Sequence, residues 1–298
     1  MKSRWSFRLV VLLALLLAAG PGRAGTLVKI VSSLGEIDVE LYDQDKPATV
    51  QNFLRLIAAG AYQNGFFHRC VPGFVVQGGG FDVFNPSSPD IFGPPWAYLY
   101  SVPNFGNVTN EYDVGKFYSN VYGTIAMAKG TNANSATSQF FFNLADNHVS
   151  LDNTNNAGGF TVFGHVVHGT NVLNQFNLIS KGDNLVDLRD TFGATNTIAS
   201  VFNTLPTFAP GTNAPPYNKL VYFGASLVQL NIEPDTSTNG NNVIYWNSVY
   251  GVTNQLEYAP SPAGPWQVLD GGLGTGDTMG LSAPATNAAR FYRVRMDF

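Results

Sequence analysis

Residues 66 to 81 read Phe66-Phe67-His68-Arg69-Cys70-Val71-Pro72-Gly73-Phe74-Val75-Val76-Gln77-Gly78-Gly79-Gly80-Phe81. Two short apolar runs flank a Pro-Gly break, and one arginine and one glutamine interrupt them. Polar groups on such a surface are costly unless they bond or face solvent. The break reads as a turn between two strands, with Arg69 and Gln77 beside a hydrophobic floor. In the second strand a period of two places Val75 and Gln77 on one face and Phe74 and Val76 on the other, provided that the turn does not shift the parity.

Further along the chain, Gly123-Thr124-Ile125-Ala126-Met127-Ala128 is followed by Ser135-Ala136-Thr137-Ser138-Gln139-Phe140-Phe141-Phe142-Asn143, then by Leu151-Asp152 and by Phe160-Thr161-Val162-Phe163-Gly164. Together with F-H-R-x-x-P-G-F-x-x-Q-G-G-x-F in the opening stretch, these blocks resemble the cyclophilin-type peptidyl-prolyl cis-trans isomerases, in their bacterial secreted form. The resemblance covers about a hundred residues in the family's order. It implies a closed eight-stranded antiparallel β-barrel with two capping helices, no cofactor and no metal, and proline-containing polypeptides as partners. It assigns Arg69, Gln77 and Phe74 to catalysis and Phe74, Val75, Gln77, Ala128, Gln139, Phe141 and Leu151 to substrate binding. Phe74, Phe141 and Leu151 would wall a proline pocket, and Gln77 would bond the substrate backbone. The chain departs from the family at Val75, where methionine is usual, at Ser150, where tryptophan is usual, and at Phe160, where histidine falls. Lys129 stands where many members carry asparagine and bacterial ones a basic residue. These changes lie at the rim and bear on substrate preference and cyclosporin-like inhibitors more than on catalysis.

The chemistry fits the residue types. Turning a prolyl bond requires breaking amide resonance, a barrier of about 18–20 kcal/mol, and no nucleophile or proton donor. A guanidinium beside the prolyl nitrogen bonds the lone pair as it localises there, so it favours the twisted state over the planar one. Arginine suits this role because it is always charged and its donors lie in a rigid plane.

With 298 residues, 45% of them hydrophobic and 12% charged, the chain is globular and long enough for one large or two medium domains. A net charge of -4 without a basic run argues against nucleic acid as a partner. The single cysteine, Cys70, reads as a small buried hydrophobe. Lys2, Arg4 and Arg8, the apolar run Leu9 to Ala19 and Gly22-Arg23-Ala24 read as an export signal over residues 1 to 25. The run is short of the about 20 residues that a spanning helix needs. The expected product is a monomer, periplasmic or extracellular, with no transmembrane segment in the mature chain.

Residues 26 to 231 form the expected isomerase domain. Leu27 to Val31 and Glu36 to Leu41 predict a hairpin with one wet face, because Ile37, Val39 and Leu41 alternate with Glu36, Asp38 and Glu40. Pro47 opens a helix whose apolar stripe is Val50, Phe53, Leu54 and Ile57. A second helix, Thr170 to Ile179, carries Val172, Leu173, Phe176 and Ile179, with Thr170 or Asn171 as its cap. Tyr122 to Ala128, Ser138 to Asn143, Thr161 to Val167 and Leu220 to Leu230 are further strands, the last closing the barrel. Two insertions interrupt the pattern. Asp82 to Gly106 is rich in proline and aromatics, and reads as a loop packed by its own rings. Lys181 to Pro216 is polar with little periodicity. Residues 232 to 242 read as a linker, and 243 to 298 as a small β-sandwich similar to fibronectin type III-like modules.

Other chemistries find less support. His68, His148, His165 and His168 lack metal-ligand spacing, and Gly78-Gly79-Gly80 lacks the Lys-Ser/Thr of a phosphate loop, so it reads as a close approach of backbones. Asp152 to Phe163 begins like a calcium loop but has Ala157 at the turn glycine and no closing glutamate. The function expected is isomerisation of X-Pro bonds in exported proteins. The alternative is a non-catalytic protein that holds proline-containing segments in the same groove.

Overall fold

The structure is a computed structural model that describes residues 25–211, 213–228, 230–234, 241–248, 253–261, 264–275, 277–284 and 290–297. All of the expected export signal except Gly25 lies outside the described residues, as do 235–240 of the expected linker.

Strands β1 (Leu27–Ser32) and β2 (Gly35–Leu41) pair antiparallel with Val28 opposite Val39 and Ile30 opposite Ile37. The alternation buries Val28, Ile30, Ile37, Val39 and Leu41 completely. The other face is drier than its sequence implies. Lys29 and Asp38 are also buried, and the Lys29 ammonium bonds Glu36 Oε2 at 2.8 Å and Ser248 O, from the C-terminal region, at 3.4 Å. Chain segments distant in sequence therefore cover part of the expected wet face.

Helix α1 (Pro47–Ala58) starts on its proline and buries Thr49, Val50, Phe53, Leu56 and Ile57. Leu56 joins the expected stripe, and Leu54 packs against the core partly buried. Its first turn has no side-chain cap from Lys46. Instead the Glu111 carboxylate, 62 and 63 residues away, accepts from Thr49 N at 2.8 Å and Ala48 N at 3.0 Å.

The chain continues through β3 (Gly65–Phe66), β4 (Arg69–Val71), β5 (Val75–Gly78), β6 (Phe81–Val83), β7 (Leu99–Ser101), β8 (Thr124–Met127) and β9 (Phe140–Asn143). A one-turn helix α2 (His148–Leu151), strand β10 (Val162–His168) and helix α3 (Thr170–Leu178) follow. Helix α3 is capped at Gly169, with φ 94°, and not at Thr170 or Asn171. A Cβ at Gly169 would lie 2.1 Å from Glu36 O, so close approach of the β2 backbone requires glycine there.

Next come β11 (Leu185–Val186), α4 (Leu188–Phe192), α5 (Thr197–Val201), β12 (Leu205–Pro206) and β13 (Tyr222–Leu227). Eleven strands form one antiparallel curled sheet in the order β4-β5-β9-β8-β10-β2-β1-β13-β3-β6-β7. This corrects the closed eight-stranded barrel, because the ladder has two ends, β4 and β7. The break falls between β3 and β4, which are consecutive but pair with different neighbours. At the intervening residues Phe67 N bonds Val221 O and His68 N bonds Gln77 O, so the partner changes from one residue to the next. The concave side holds the main core, with Phe53, Phe67, Phe140, Phe142, Phe163, Phe176 and Phe223 among its rings. Helices α1 and α3 contribute to it as the two expected capping helices.

The two insertions form a second apolar core together. Phe92 from the first lies 4.9 Å from Phe202 of the second and 5.1 Å from Tyr217, ring centre to ring centre, and Phe66 of β3 closes the cluster at 5.7 Å from Phe92. Main-chain bonds join the same segments, with Phe92 N to Pro215 O at 2.7 Å and Tyr217 N to Asp90 O at 2.9 Å. The second insertion also covers the sheet edge at β4, where Cys70 N donates to Thr204 O at 2.7 Å. Cys70 itself is buried.

The closing strand is shorter than expected, because Leu230 begins β14 (Leu230–Pro234), which pairs with β15 (Asn241–Asn247). With β16 (Thr253–Ala259), β17 (Gln267–Leu273), β18 (Thr278–Pro284) and β19 (Phe291–Asp297), these make two three-stranded antiparallel sheets, β14-β15-β18 and β17-β16-β19. Ile244, Trp246, Leu256 and Ala283 form their buried core, and Trp246 Nε1 donates to Asn254 Oδ1 at 3.0 Å.

Candidate active site

The Pro72-Gly73 turn closes with Phe74 N on Val71 O at 2.9 Å, and Gly73 takes a left-handed φ of 72°. It sets the β4–β5 register so that Arg69 lies opposite Gln77. In the following ladders Gln77 lies opposite Phe141, Phe141 opposite Ala126, and Ala126 opposite Val162. Directly paired residues share a face. One row across five strands thus runs from a guanidinium through an amide to an apolar floor. The alternate residues Val76, Phe140, Phe142, Ile125 and Met127 point into the main core.

The apolar end of this row is a distinct cluster. Val75, Ala126, Phe141, Leu151 and Val162 are buried, with Phe74, Ala128 and Phe160 packed against them partly exposed. Phe74 therefore joins Val75 and not Val76, because it precedes β5 and the turn shifts the parity. Phe160 meets Phe141 edge to face, with ring centres 5.9 Å apart. Buried amides hold these walls from behind. Asn147 Nδ2 donates to Phe74 O and to Asn143 Oδ1, each at 2.7 Å. Asn143 Nδ2 donates to Asn120 Oδ1 at 3.1 Å, and Asn120 Nδ2 to Asp152 Oδ1 at 2.7 Å and Phe160 O at 3.0 Å. Asp152 is committed to this network and not to a calcium loop. Sequence reading missed these asparagines; the four-residue step from Asn143 to Asn147 was the one available signal.

Residues 27–196 match the family described as cyclophilin type peptidyl-prolyl cis-trans isomerase/CLD. The chain belongs to the cyclophilin-type isomerases. It is 38% identical over 173 residues to peptidyl-prolyl cis-trans isomerase A of Dickeya dadantii, covering 57% of this chain and 82% of that protein. It is 34% identical over 168 residues to a peptidyl-prolyl cis-trans isomerase of Acinetobacter baylyi, covering 56% and 80%. The B isozyme of Escherichia coli is 33% identical over 158 residues, covering 52% and 87%. The family is one of enzymes; the first insertion lies inside the matched region and the second crosses its end.

In this cyclophilin the electrostatics of the row are simple. Arg69 is half-buried, and among the described residues its guanidinium makes no hydrogen bond or ion pair. Burial lowers its pKa without threatening its charge. Gln77 Nε2 donates to Gln139 Oε1 at 2.7 Å, and Gln139 also hydrogen-bonds the imidazole of His68. His68 is buried, and desolvation, with the nearby Arg69 charge, pushes its pKa down to about 3. It is therefore neutral and structural, packing on Phe81 at 5.2 Å. Gly79, with φ 75°, lets the chain pass where a Cβ would be 2.5 Å from Ser138 O, which confirms the close approach expected of the glycine run. Beside the row a recess of about 270 Å³ is lined by Gln77, Ala128, Lys129, Gly130, Ser135, Thr137 and Gln139. Ser150 is exposed, and its hydroxyl donates to Asn147 O at 3.2 Å.

Proposed function

We propose that this cyclophilin isomerises X-Pro bonds of exported polypeptides, with Arg69 as the catalytic donor. The observation that carries this is the row from Arg69 to Val162, in which unspent guanidinium donors stand one strand from Gln77 and two from Phe141. A prolyl ring seated among Phe74, Phe141 and Leu151 places its nitrogen within reach of that guanidinium. Gln77 and Gln139, which bond one another, offer amide groups to the substrate backbone, with Val75 and Ala128 completing the apolar wall. As the C–N bond twists, the nitrogen lone pair localises and accepts a hydrogen bond that the planar amide cannot accept, so Arg69 stabilises the transition state selectively. Rings and aliphatic side chains keep water from competing for those donors. The export reading rests on the basic and apolar pattern of residues 1 to 25. The isomerase unit proposed is residues 26 to 231 with the C-terminal sheets as an attached module, and the pairing of β14 with β15 supports an end near Val228.

Exchange of a proline peptide between its cis and trans forms, followed by NMR, tests the reading. Arg69→Ala is expected to lower kcat/KM by about 10²–10³-fold, or roughly 2.7–4 kcal/mol, with much smaller change in peptide affinity. Equal loss of binding and rate removes the transition-state role. A wild-type protein that binds the peptide without accelerating exchange is a binding module.

A further inference from the structure

Lys129 follows Ala128 just beyond β8 and lines the 270 Å³ recess, and its ammonium is spent on backbone carbonyls. Its ammonium donates to Ala133 O at 3.3 Å, Ala157 O at 2.8 Å and Gly159 O at 2.5 Å, and stands 5.2 Å from the centre of the Phe160 ring. An ammonium has three N–H donors, so these carbonyls match its full capacity. Two of them come from a segment whose backbone is left-handed at three consecutive residues, with φ 52° at Ala157, 78° at Gly158 and 73° at Gly159. Left-handed backbone at an alanine is strained, and it persists where surrounding contacts determine it. The third carbonyl belongs to the other rim, the 130–137 loop that carries Ser135 and Thr137 into the recess.

We propose that Lys129 is a positioning residue for the isomerase reaction, its ammonium fastening the 130–137 loop to the 153–159 loop and holding Phe160 against Phe141. This rests on the isomerase reading above. The fastening is separable from folding, because other bonds also secure the second loop: Asn110 Nδ2 to Gly158 O at 2.8 Å, Gly158 N to Thr154 O at 3.0 Å and Asn156 Nδ2 to Ser150 O at 2.9 Å. Phe160 directly follows Gly159, so its ring and its N–H, which donates to Leu151 O at 2.9 Å, are what the fastening positions, while its carbonyl stays on Asn120 Nδ2 at 3.0 Å.

The device carries a signature in pH. Desolvation pushes the Lys129 pKa down to about 8, and no charged side chain contributes to the shift. Carbonyls and the Phe160 ring surround the ammonium. The titratable groups on the adjoining segments are Tyr112, whose hydroxyl donates to Asp152 O at 2.6 Å, and Asp152, whose carboxylate faces Asn120 and Ser119. A folded-state value below the ordinary 10.5 means that the unfolded chain holds more protons between the two values, so this group raises folding stability as pH climbs through that window. Alkaline loss of rate would therefore arise without unfolding by this group.

The test compares wild type, Lys129→Met and Lys129→Arg from pH 6.5 to 9.5, reading peptide cis–trans exchange and the hydrogen-exchange protection of the Phe160 amide, corrected for intrinsic pH dependence. The expected result is that wild-type kcat falls about tenfold as pH passes 8, while Lys129→Met is low throughout and Lys129→Arg, charged across the range, stays high. Phe160 amide protection is expected to fall in step. Lys129→Met equal to wild type at pH 7, or a wild-type profile parallel to that of Lys129→Arg, overturns the proposal. If the wild type accelerates no exchange at any pH, the isomerase reading fails and the positioning role fails with it; the amide protection then reports separately whether Lys129 fastens the loops.

Discussion

At the scale of single residues, Arg69 and His68 show how neighbours in sequence take opposite electrostatic roles. Arg69 keeps its charge because an arginine can be half-buried without losing its proton, whereas His68, wholly desolvated, cannot hold one near neutrality. Lysine at position 69 would keep a charge but lose the planar fork, so Arg69→Lys is expected to be nearly as slow as Arg69→Ala in the same exchange assay. The pH behaviour of His68 follows from its depressed value. Between the ordinary value of 6.5 and about 3 the unfolded chain binds a proton that the folded one refuses, so stability present above pH 6.5 is lost as pH falls through that window. His68→Gln is expected to show a smaller drop in unfolding free energy between pH 7 and pH 4 than wild type, measured by urea titration. An equal drop in both assigns the acid sensitivity to other groups. The identities of Arg69, Gln77 and Phe141 were legible as a motif, but the neutrality of His68 was not, because burial of a histidine is invisible in one dimension.

At the scale of elements, local pattern succeeded where a partner was near in sequence and failed where it was distant. The period of two expected of the strand Ser138 to Asn143 holds in the sheet, with Phe141 in the site cluster and Phe140 and Phe142 in the core. Phe74 changed face because the Pro72-Gly73 turn, not the strand period, positions it. Helix α1 shows the same limit. Its start was marked by Pro47, but its amide donors are satisfied by Glu111, which no local cap rule identifies. Glu111→Ala is expected to destabilise the protein by about 0.5–2 kcal/mol, the range of a lost N-cap, read as a lowered urea midpoint with an unchanged slope. The asparagine network sets a sharper case. Asn147→Ala leaves Asn143 Oδ1 without its donor and Phe74 O with Leu144 N alone, at 2.8 Å, and is expected to cost about 1–3 kcal/mol in the same titration.

At the scale of the whole molecule, the two insertions and the C-terminal sheets are where the sequence expectation changed most. The rings of the first insertion pack on one another as expected, with Phe92 and Trp96 5.3 Å apart, and also on the second insertion and Phe66 of β3. The C-terminal sheets touch the isomerase unit through Ser248 O and Lys29 and not only through a linker. A chain ending at Val228 is expected to keep its peptide-exchange rate, because the row from Arg69 to Val162 lies wholly within it, while its thermal midpoint drops as the Lys29 face is uncovered. A truncated chain that folds but loses the exchange rate places part of the site in the C-terminal sheets.

The family, the strands that carry Arg69, Gln77 and Phe141, the two capping helices and the all-β character of the last part were legible in the sequence. Each rests on motif identity or on a period that one segment contains. The opening of the sheet between β3 and β4, the core shared by the two insertions, the asparagines behind the pocket walls and the three carbonyls on Lys129 were visible only in three dimensions. Those outcomes depend on hydrogen bonds and ring contacts between segments distant along the chain, and neither periodicity nor composition records which distant groups will meet.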